Sequence, residues 1–311
     1  MHCPLTSHKS QHMAPSLRPM HLVVLVILST MPLPSSWGAM SDNHDLLMLG
    51  RFHRWMSTHN RTYPGAHEEL RRFDVYRRNM EYIDAANAGG ELGYELGENE
   101  FTDLTHEEFT ARYTGGACWA FATVGAVESQ LKRKTGELLD LSEQELLDCD
   151  TTQKPGGCKG GNPYRAFLWI KSKGGIMKEA EYSYEAQQGQ CRTNKDATRR
   201  GLVYRAQLLR SGERFLQEAV YTMGPTVAGI DTHDRSLQHF KSGIYKGPCG
   251  TALDHAVLVV GYGVRDGEKY WVVKNSWGQT FGENGFFLMS RGANGNAGLC
   301  GIGKAGVYAL V

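Results

Sequence analysis

A cysteine at the head of a long apolar helix, a histidine opening a strand and an asparagine closing the neighbouring strand are the residues here whose types and spacing could do chemistry. Cys118 begins the run Cys118 to Lys134 (CWAFATVGAVESQLKRK). In the first turn of a helix, unpaired N–H groups and the positive dipole end stabilise a thiolate, the nucleophilic form of the side chain. An imidazole beside it would act as base and then as general acid. Of the twelve histidines, His255 lies in a hairpin whose strands are Leu253 to Gly263 and Tyr270 to Asn275, with Asp266-Gly267 as the turn. Paired positions then sum to 533 (266 + 267), which sets Asn275 opposite about Leu258. His255 is about three residues away, about 10 Å along a strand, and a twist, a bulge or a two-residue change of register would close that distance. An amide there could accept from the imidazole N–H and hold the ring toward the thiolate.

Each residue alone has a plainer reading. A lone buried cysteine is usually a small hydrophobe, a strand histidine is usually structural, and Asn275 could merely end a strand. No C-x-x-C spacing accompanies them, so no metal is assigned. Gly261-Tyr262-Gly263 lacks the third glycine and the strand-to-helix setting of a dinucleotide loop, so no cofactor is assigned either.

The elements that must position these residues read as follows. From about Asp42 to Ala88 the pattern is helical, with Leu46, Leu49, Phe52 and Met56, then Phe73, Tyr76, Met80 and Ile83, at three- and four-residue steps. Arg71, Arg72, Arg77 and Arg78 stand among acidic residues, which reads as a solvated helix face. Asn60-Arg61-Thr62 between the two helices is a candidate glycosylation sequon at Asn60. After Cys118 to Lys134, with Gly136 as its stop, Ser142 and Glu145 form a capping box opening a helix to Cys149. A further helix covers Tyr164 to Lys173, and from about Gly201 the texture turns to strand, including Gly285 to Ser290.

The joint pattern outweighs the plainer readings. Gly116-Ala117-Cys118-Trp119 matches the G-[SA]-C-W part of the papain-type signature, and His255 and Asn275 follow 137 (255 − 118) and 157 (275 − 118) residues on. Asp254-His255-Ala256-Val257 and Lys274-Asn275-Ser276-Trp277-Gly278 also resemble papain-family sequence. Ahead of them, Glu68, Arg72, Tyr76, Asn79, Ile83 and Asn87 fit the family's prodomain pattern E-x-x-x-R-x-x-x-F-x-x-N-x-x-x-I-x-x-x-N, with Tyr for Phe. Gly97, Asn99, Phe101 and Asp103 fit its G-x-N-x-F-x-D pattern.

The chain is therefore similar to precursors of papain-family cysteine peptidases. The resemblance implies an α+β, papain-like fold of two subdomains, a helical one (about 118–206) and a β-barrel-like one (about 207–311), behind an inhibitory prodomain (42–113). It implies a peptidase domain over 114–311, Cys118, His255 and Asn275 as the catalytic set, and Trp277 shielding the His–Asn hydrogen bond. Substrate contacts fall on Gly160, Gly161, Pro163, Gly229, Leu253, Asp254 and Ala305, an apolar and open lining suited to a bulky apolar side chain. Disulfides Cys149–Cys191 and Cys249–Cys300 are implied, each closing a loop worth roughly 3 to 4 kcal/mol in the chain-entropy model. The expected partners are peptide or protein substrates and the chain's own prodomain, with the protein a monomer.

The chain also departs from the family. Asp103 is 15 positions from Cys118 (118 − 103), and Gly115 stands where the signature has its first cysteine. The mature N-terminal strand with its processing site, the cysteine that would bond Cys158 and the glutamine of the oxyanion hole are all missing. Cys158 is then left unpaired, once Cys3 leaves with the leader. A connection over 104–117 spans at most about 50 Å. The chain is either a faithful but impaired product, acting as a peptidase-binding or inhibitor protein, or a splice variant or gene-model error of an active peptidase. The clean break inside the signature favours the second account.

Bulk properties set the frame. With 311 residues, 41% apolar and 22% charged, the chain has room for about two domains and a buried core. A net charge of +1 gives no electrostatic case for nucleic acid or an anionic membrane surface. Leu22 to Leu28 is too short to span a bilayer and, with Ser36 and Gly38 behind it, reads as a secretory signal cleaved after Gly38, with Met13 or Met20 as alternative starts. Entry to the secretory route, ending outside the cell or in a vacuole or lysosome, permits disulfides.

Overall fold

A computed structural model describes residues 43–90, 92–192 and 198–311. The signal at 1–38 and both alternative starts lie outside the described residues. Among those described, no helix is long and apolar enough to cross a membrane.

The chain divides into two compact units, whose described parts are 43–77 and 78–311. In the first, α1 (Asn43–Thr58) and the opening turns of α2 (Ala66–Ala88) enclose an aromatic cluster. Phe52 lies fully buried, with its ring 5.2 Å from Tyr76 and 5.5 Å from Phe73. Glu68 accepts from Arg71 and Arg72 at 2.8 Å each, which holds its carboxyl down at about 2. Arg72 is thereby buried rather than on a solvated face as the charge pattern suggests. Asn60 is exposed in the turn after α1, with φ 50°.

In the second unit the remainder of α2 leads to β1 (Tyr94–Leu96) and α3 (His106–Tyr113). The helices α4 (Cys118–Thr135), α5 (Glu143–Cys149) and α6 (Pro163–Lys173) follow. The strands are β2 (Arg205–Leu208), β3 (Thr226–Ile230), β4 (Phe240–Tyr245), β5 (His255–Arg265), β6 (Glu268–Lys274), β7 (Phe286–Ser290) and β8 (Gly306–Leu310), with α7 (Glu213–Thr222) and α8 (Arg235–Gln238) between them. They make one eight-stranded sheet in the order β1-β4-β7-β6-β5-β3-β8-β2. All pairings are antiparallel except β4 with β7. The mixed helix and sheet content is the α+β class the sequence implies.

Two caps differ from the sequence reading. Ser142 does accept from the Glu145 N–H, but the Glu145 carboxylate turns away to the Met177 N–H and Arg199, so the box is half formed. A reciprocal box forms instead at Thr105 and Glu108, opening α3, a helix the hydrophobic pattern does not announce.

Cys149 is bonded to Cys191 and Cys249 to Cys300. Cys118 is free, and Cys158, expected to stand unpaired, is disulfide-bonded.

Candidate functional site

Three elements converge on Cys118. α4 is an 18-residue helix whose N-cap, Ala117, offers no side chain to its first N–H groups. Ala120 and Phe121 already donate to the Ala117 carbonyl, whereas the N–H groups of Cys118 and Trp119 have no partner inside the helix. The junction Thr114 to Ala117 brings the end of α3 directly to Cys118, and β5 begins at His255 on the opposite side of the same cleft. Cys118 and His255 are 5% and 3% exposed, so their charges are largely withdrawn from water.

The hairpin supplies the histidine's support through a bulge. Near its turn, β5 and β6 pair as the sequence predicts, with Tyr262 opposite Trp271, a sum of 533. Between Val259 and Gly261 the register shifts, and beyond it Leu258 faces Lys274, a sum of 532. Continued one step, that register sets Asn275 opposite Val257, one residue nearer His255. The imidazole Nε2–H donates to Asn275 Oδ1 at 2.8 Å, and that oxygen is fixed by the Ser276 N–H at 2.9 Å. The other ring nitrogen, Nδ1, is buried without a hydrogen-bond partner. Trp277 lies behind the pair, fully buried, its ring 4.9 Å from the imidazole and its Nε1–H on the Tyr113 carbonyl at 2.8 Å. Phe109 of α3 meets the same indole edge-on at 4.9 Å.

Burial dominates the electrostatics. It pushes the Cys118 thiol up to about 11, against N–H groups of Ala256, Trp119 and Gly115 that favour the thiolate, while Asp254 adds to the rise. Burial also lowers His255, opposed by its hydrogen bond to Asn275 and by Asp254. Both shifts favour the neutral thiol and imidazole over the ion pair in an empty cleft. Asp254 is itself held by the N–H and hydroxyl of Thr232, each at 2.8 Å, and lies 3.7 Å from His233 Nδ1.

The cleft, about 410 Å³, is lined by Cys118, His255 and every residue expected to touch substrate: Gly160, Gly161, Pro163, Gly229, Leu253, Asp254 and Ala305. Asn275 and Trp277 stand behind His255 and do not line it. Gly160 and Gly161 also answer to internal packing: a Cβ on Gly160 would lie 2.8 Å from the Gly115 carbonyl oxygen, and one on Gly161 2.4 Å from the Trp119 ring. Among the described residues, the lining contains no glutamine. The N–H of Ala256 was not singled out by sequence, although Ala256 neighbours His255, and Gly115 was marked only as standing where the signature has its first cysteine.

Comparison with known proteins gives the same assignment. A profile described as papain family cysteine protease matches residues 106–310, and one described as cathepsin propeptide inhibitor domain (I29) matches 52–109. Fruit bromelain of Ananas comosus is 34% identical over 332 aligned positions, covering 92% of this chain and 93% of its own length. Vignain of Ricinus communis is 36% identical, over 85% of this chain and 86% of its own. Among solved structures, a recombinant stem bromelain precursor superposes with a TM-score of 0.81 at 36% identity, over 85% of this chain and 99% of that one. Digestive procathepsin L 3 of Tenebrio molitor larval midgut gives 0.78 at 33%, over 85% and 99%. A chain with a thiol at a helix head, facing a histidine across a cleft, is of the thiol peptidase class. It belongs to the papain family of cysteine proteases and carries that family's propeptide inhibitor domain. The alignment to fruit bromelain has 332 positions against 311 residues in the whole chain, so the relative carries residues this chain lacks.

Proposed function

We propose that the chain is an endopeptidase precursor that hydrolyses peptide bonds through Cys118, His255 and Asn275, with the prodomain over 42–113 and the peptidase domain over 114–311. One observation carries the reading. His255 is fastened through Nε2 to Asn275, its Nδ1 is buried and unpartnered, and it shares a cleft with the free thiol Cys118.

In this reading Nδ1 takes the thiol proton, giving thiolate and imidazolium. The thiolate adds to the substrate carbonyl carbon, forming an S–C bond while the C=O π pair moves to oxygen. As the tetrahedral adduct collapses, the C–N bond breaks and the amine leaves with the imidazolium proton. Water then gives a proton to His255 and adds to the thioester, and the C–S bond breaks, releasing the acid and regenerating the thiol. Asn275 keeps the ring in register, and Trp277 keeps water from the His–Asn bond. Pro163, Gly229, Leu253 and Ala305 would receive a bulky apolar side chain two residues before the scissile bond, with Gly160 and Gly161 along the peptide backbone. The partners are peptide or protein substrates and the prodomain, the protein acts as a monomer, and the site of action is extracellular or a vacuole or lysosome. Asn60, exposed in a turn, is the glycosylation position.

The test is acidification of the expressed chain followed by a thiol-reactive peptidyl epoxide and peptide mapping. Adduct on Cys118, lost in Cys118→Ser and in unfolded protein, is the expected result. Folded chain with no adduct at Cys118 would remove the enzymatic reading.

A further inference from the structure

The glutamine that the family resemblance leads one to expect in the oxyanion hole is absent, so the negative charge of a tetrahedral adduct at Cys118 needs another donor. The junction between α3 and α4 is only four residues long, Thr114 to Ala117. Gly115 has φ +66°, a left-handed conformation that glycine adopts without steric cost. Its Cα faces the Asp254 carbonyl, 3.6 Å from where a Cβ would stand, and its own carbonyl packs against Gly160 with no room for a Cβ between them. Gly115 lines the cleft with Cys118. Its N–H makes no hydrogen bond to backbone or side-chain oxygen among the described residues and is one of three N–H groups directed at the Cys118 sulfur. The buried, unpartnered Nδ1 of His255 opens on the same space.

We propose that the backbone N–H of Gly115, together with that of Cys118, forms the oxyanion site of this chain in place of the missing side-chain amide. The proposal rests on the reading of Cys118 as nucleophile. A thiolate adding to a carbonyl places the new oxyanion one bond from the carbon attached to sulfur, so a donor directed at the sulfur position needs only a small shift to meet it. Such a donor is fixed by backbone conformation and loses no side-chain entropy when charge develops. The shortened junction thereby replaces one function of the segment it lacks.

Two measurements on the full chain test this. Thr–Gly steps occur only at Thr114-Gly115 and Thr135-Gly136, so carbonyl-labelled threonine with amide-labelled glycine isolates two NMR signals. On adding a peptide aldehyde, which forms a hemithioacetal with Cys118, the Gly115 amide proton is expected to move downfield while that of Gly136 stays. Second, ligation at the Ala117–Cys118 bond allows the amide between Thr114 and Gly115 to be replaced by an ester, removing this N–H alone. The ratio of aldehyde affinity to the rate of epoxide alkylation at Cys118 is expected to fall about 10²-fold, the low end for loss of one oxyanion donor. A Gly115 signal that moves no more than that of Gly136, or an unchanged ratio, overturns the proposal while leaving Cys118 as the nucleophile. Failure of the folded, unmodified chain to be alkylated removes both readings. Should the ester chain not fold, the amide shift in the unmodified chain decides.

Discussion

A nucleophile in this cleft must be made from a neutral pair. Burial raises the Cys118 thiol to about 11 and lowers His255, so at neutral pH the proton sits on sulfur and the imidazole is uncharged. A raised thiol pKa means that thiolate grows with pH until about 11. Alkylation of Cys118 in the folded chain is therefore expected to rise about tenfold per pH unit from neutrality upward, with no plateau at acid pH. Stopped-time alkylation across pH checks this, and a rate already constant below neutrality would mean a pre-formed ion pair instead. His255→Ala should cut peptide hydrolysis by about 10²–10⁴-fold, the span for a positioned general base, with the fold retained by circular dichroism.

At the scale of elements, the candidate residues were legible in the sequence and their setting was not. Cys118, His255 and Asn275 were legible because signature strings and spacing act together, and the hairpin was legible because Asp266-Gly267 fixes a turn. The bulge near Val259 was not, since period-2 alternation cannot say where one strand gains a residue. α3 was missed although Thr105 and Glu108 have capping-box spacing, because its eight residues carry too few apolar positions to announce a helix face. That helix matters: Phe109 packs on Trp277, and its last carbonyl, from Tyr113, holds the indole N–H. Gly160 and Gly161 were legible only as substrate positions, whereas packing also demands them. Gly161→Ala would drive a methyl into the Trp119 ring and should cost about 1–3 kcal/mol by overpacking, read as a lower Tm. Gly125→Ala, whose Cβ would meet the ends of two side chains, Leu258 at 3.2 Å and Lys274 Nζ at 3.9 Å, should cost much less.

At the scale of the whole molecule, the propeptide and peptidase profiles overlap at 106–109, and only four residues separate α3 from α4. The propeptide-type residues from Arg78 onward are built into the peptidase unit. β1 extends the sheet beside β4, Asn99 donates to the Gln238 carbonyl at 2.7 Å, and Arg235 donates to Asn79 at 2.8 Å while stacking on Tyr82. His239 lies in the middle of this seam, fully buried, with neither ring nitrogen hydrogen-bonded and its ring 6.3 Å from that of Tyr82. Burial, with Arg235 and His106 nearby, pushes its pKa down from 6.5 to about 3. The unfolded chain binds a proton at His239 below about 6.5 that the folded chain refuses until about 3, so stability is lost as pH falls through that window. At 1.36 kcal/mol per unit, the loss is on the order of 4–5 kcal/mol at the acid end, a large share of a typical domain's stability. Asp231, whose pKa is lowered by the N–H groups of His233 and Ala252 and by the His233 ring against its own burial, adds to the acid loss below the usual carboxylate range. His239→Leu keeps the site filled and removes its titration. Its acid-unfolding midpoint, followed by tryptophan fluorescence, is expected to lie at lower pH than that of the unaltered chain, with the difference vanishing near neutrality. Equal midpoints for the two proteins would show that acid opens the molecule somewhere other than at the β1–β4 seam.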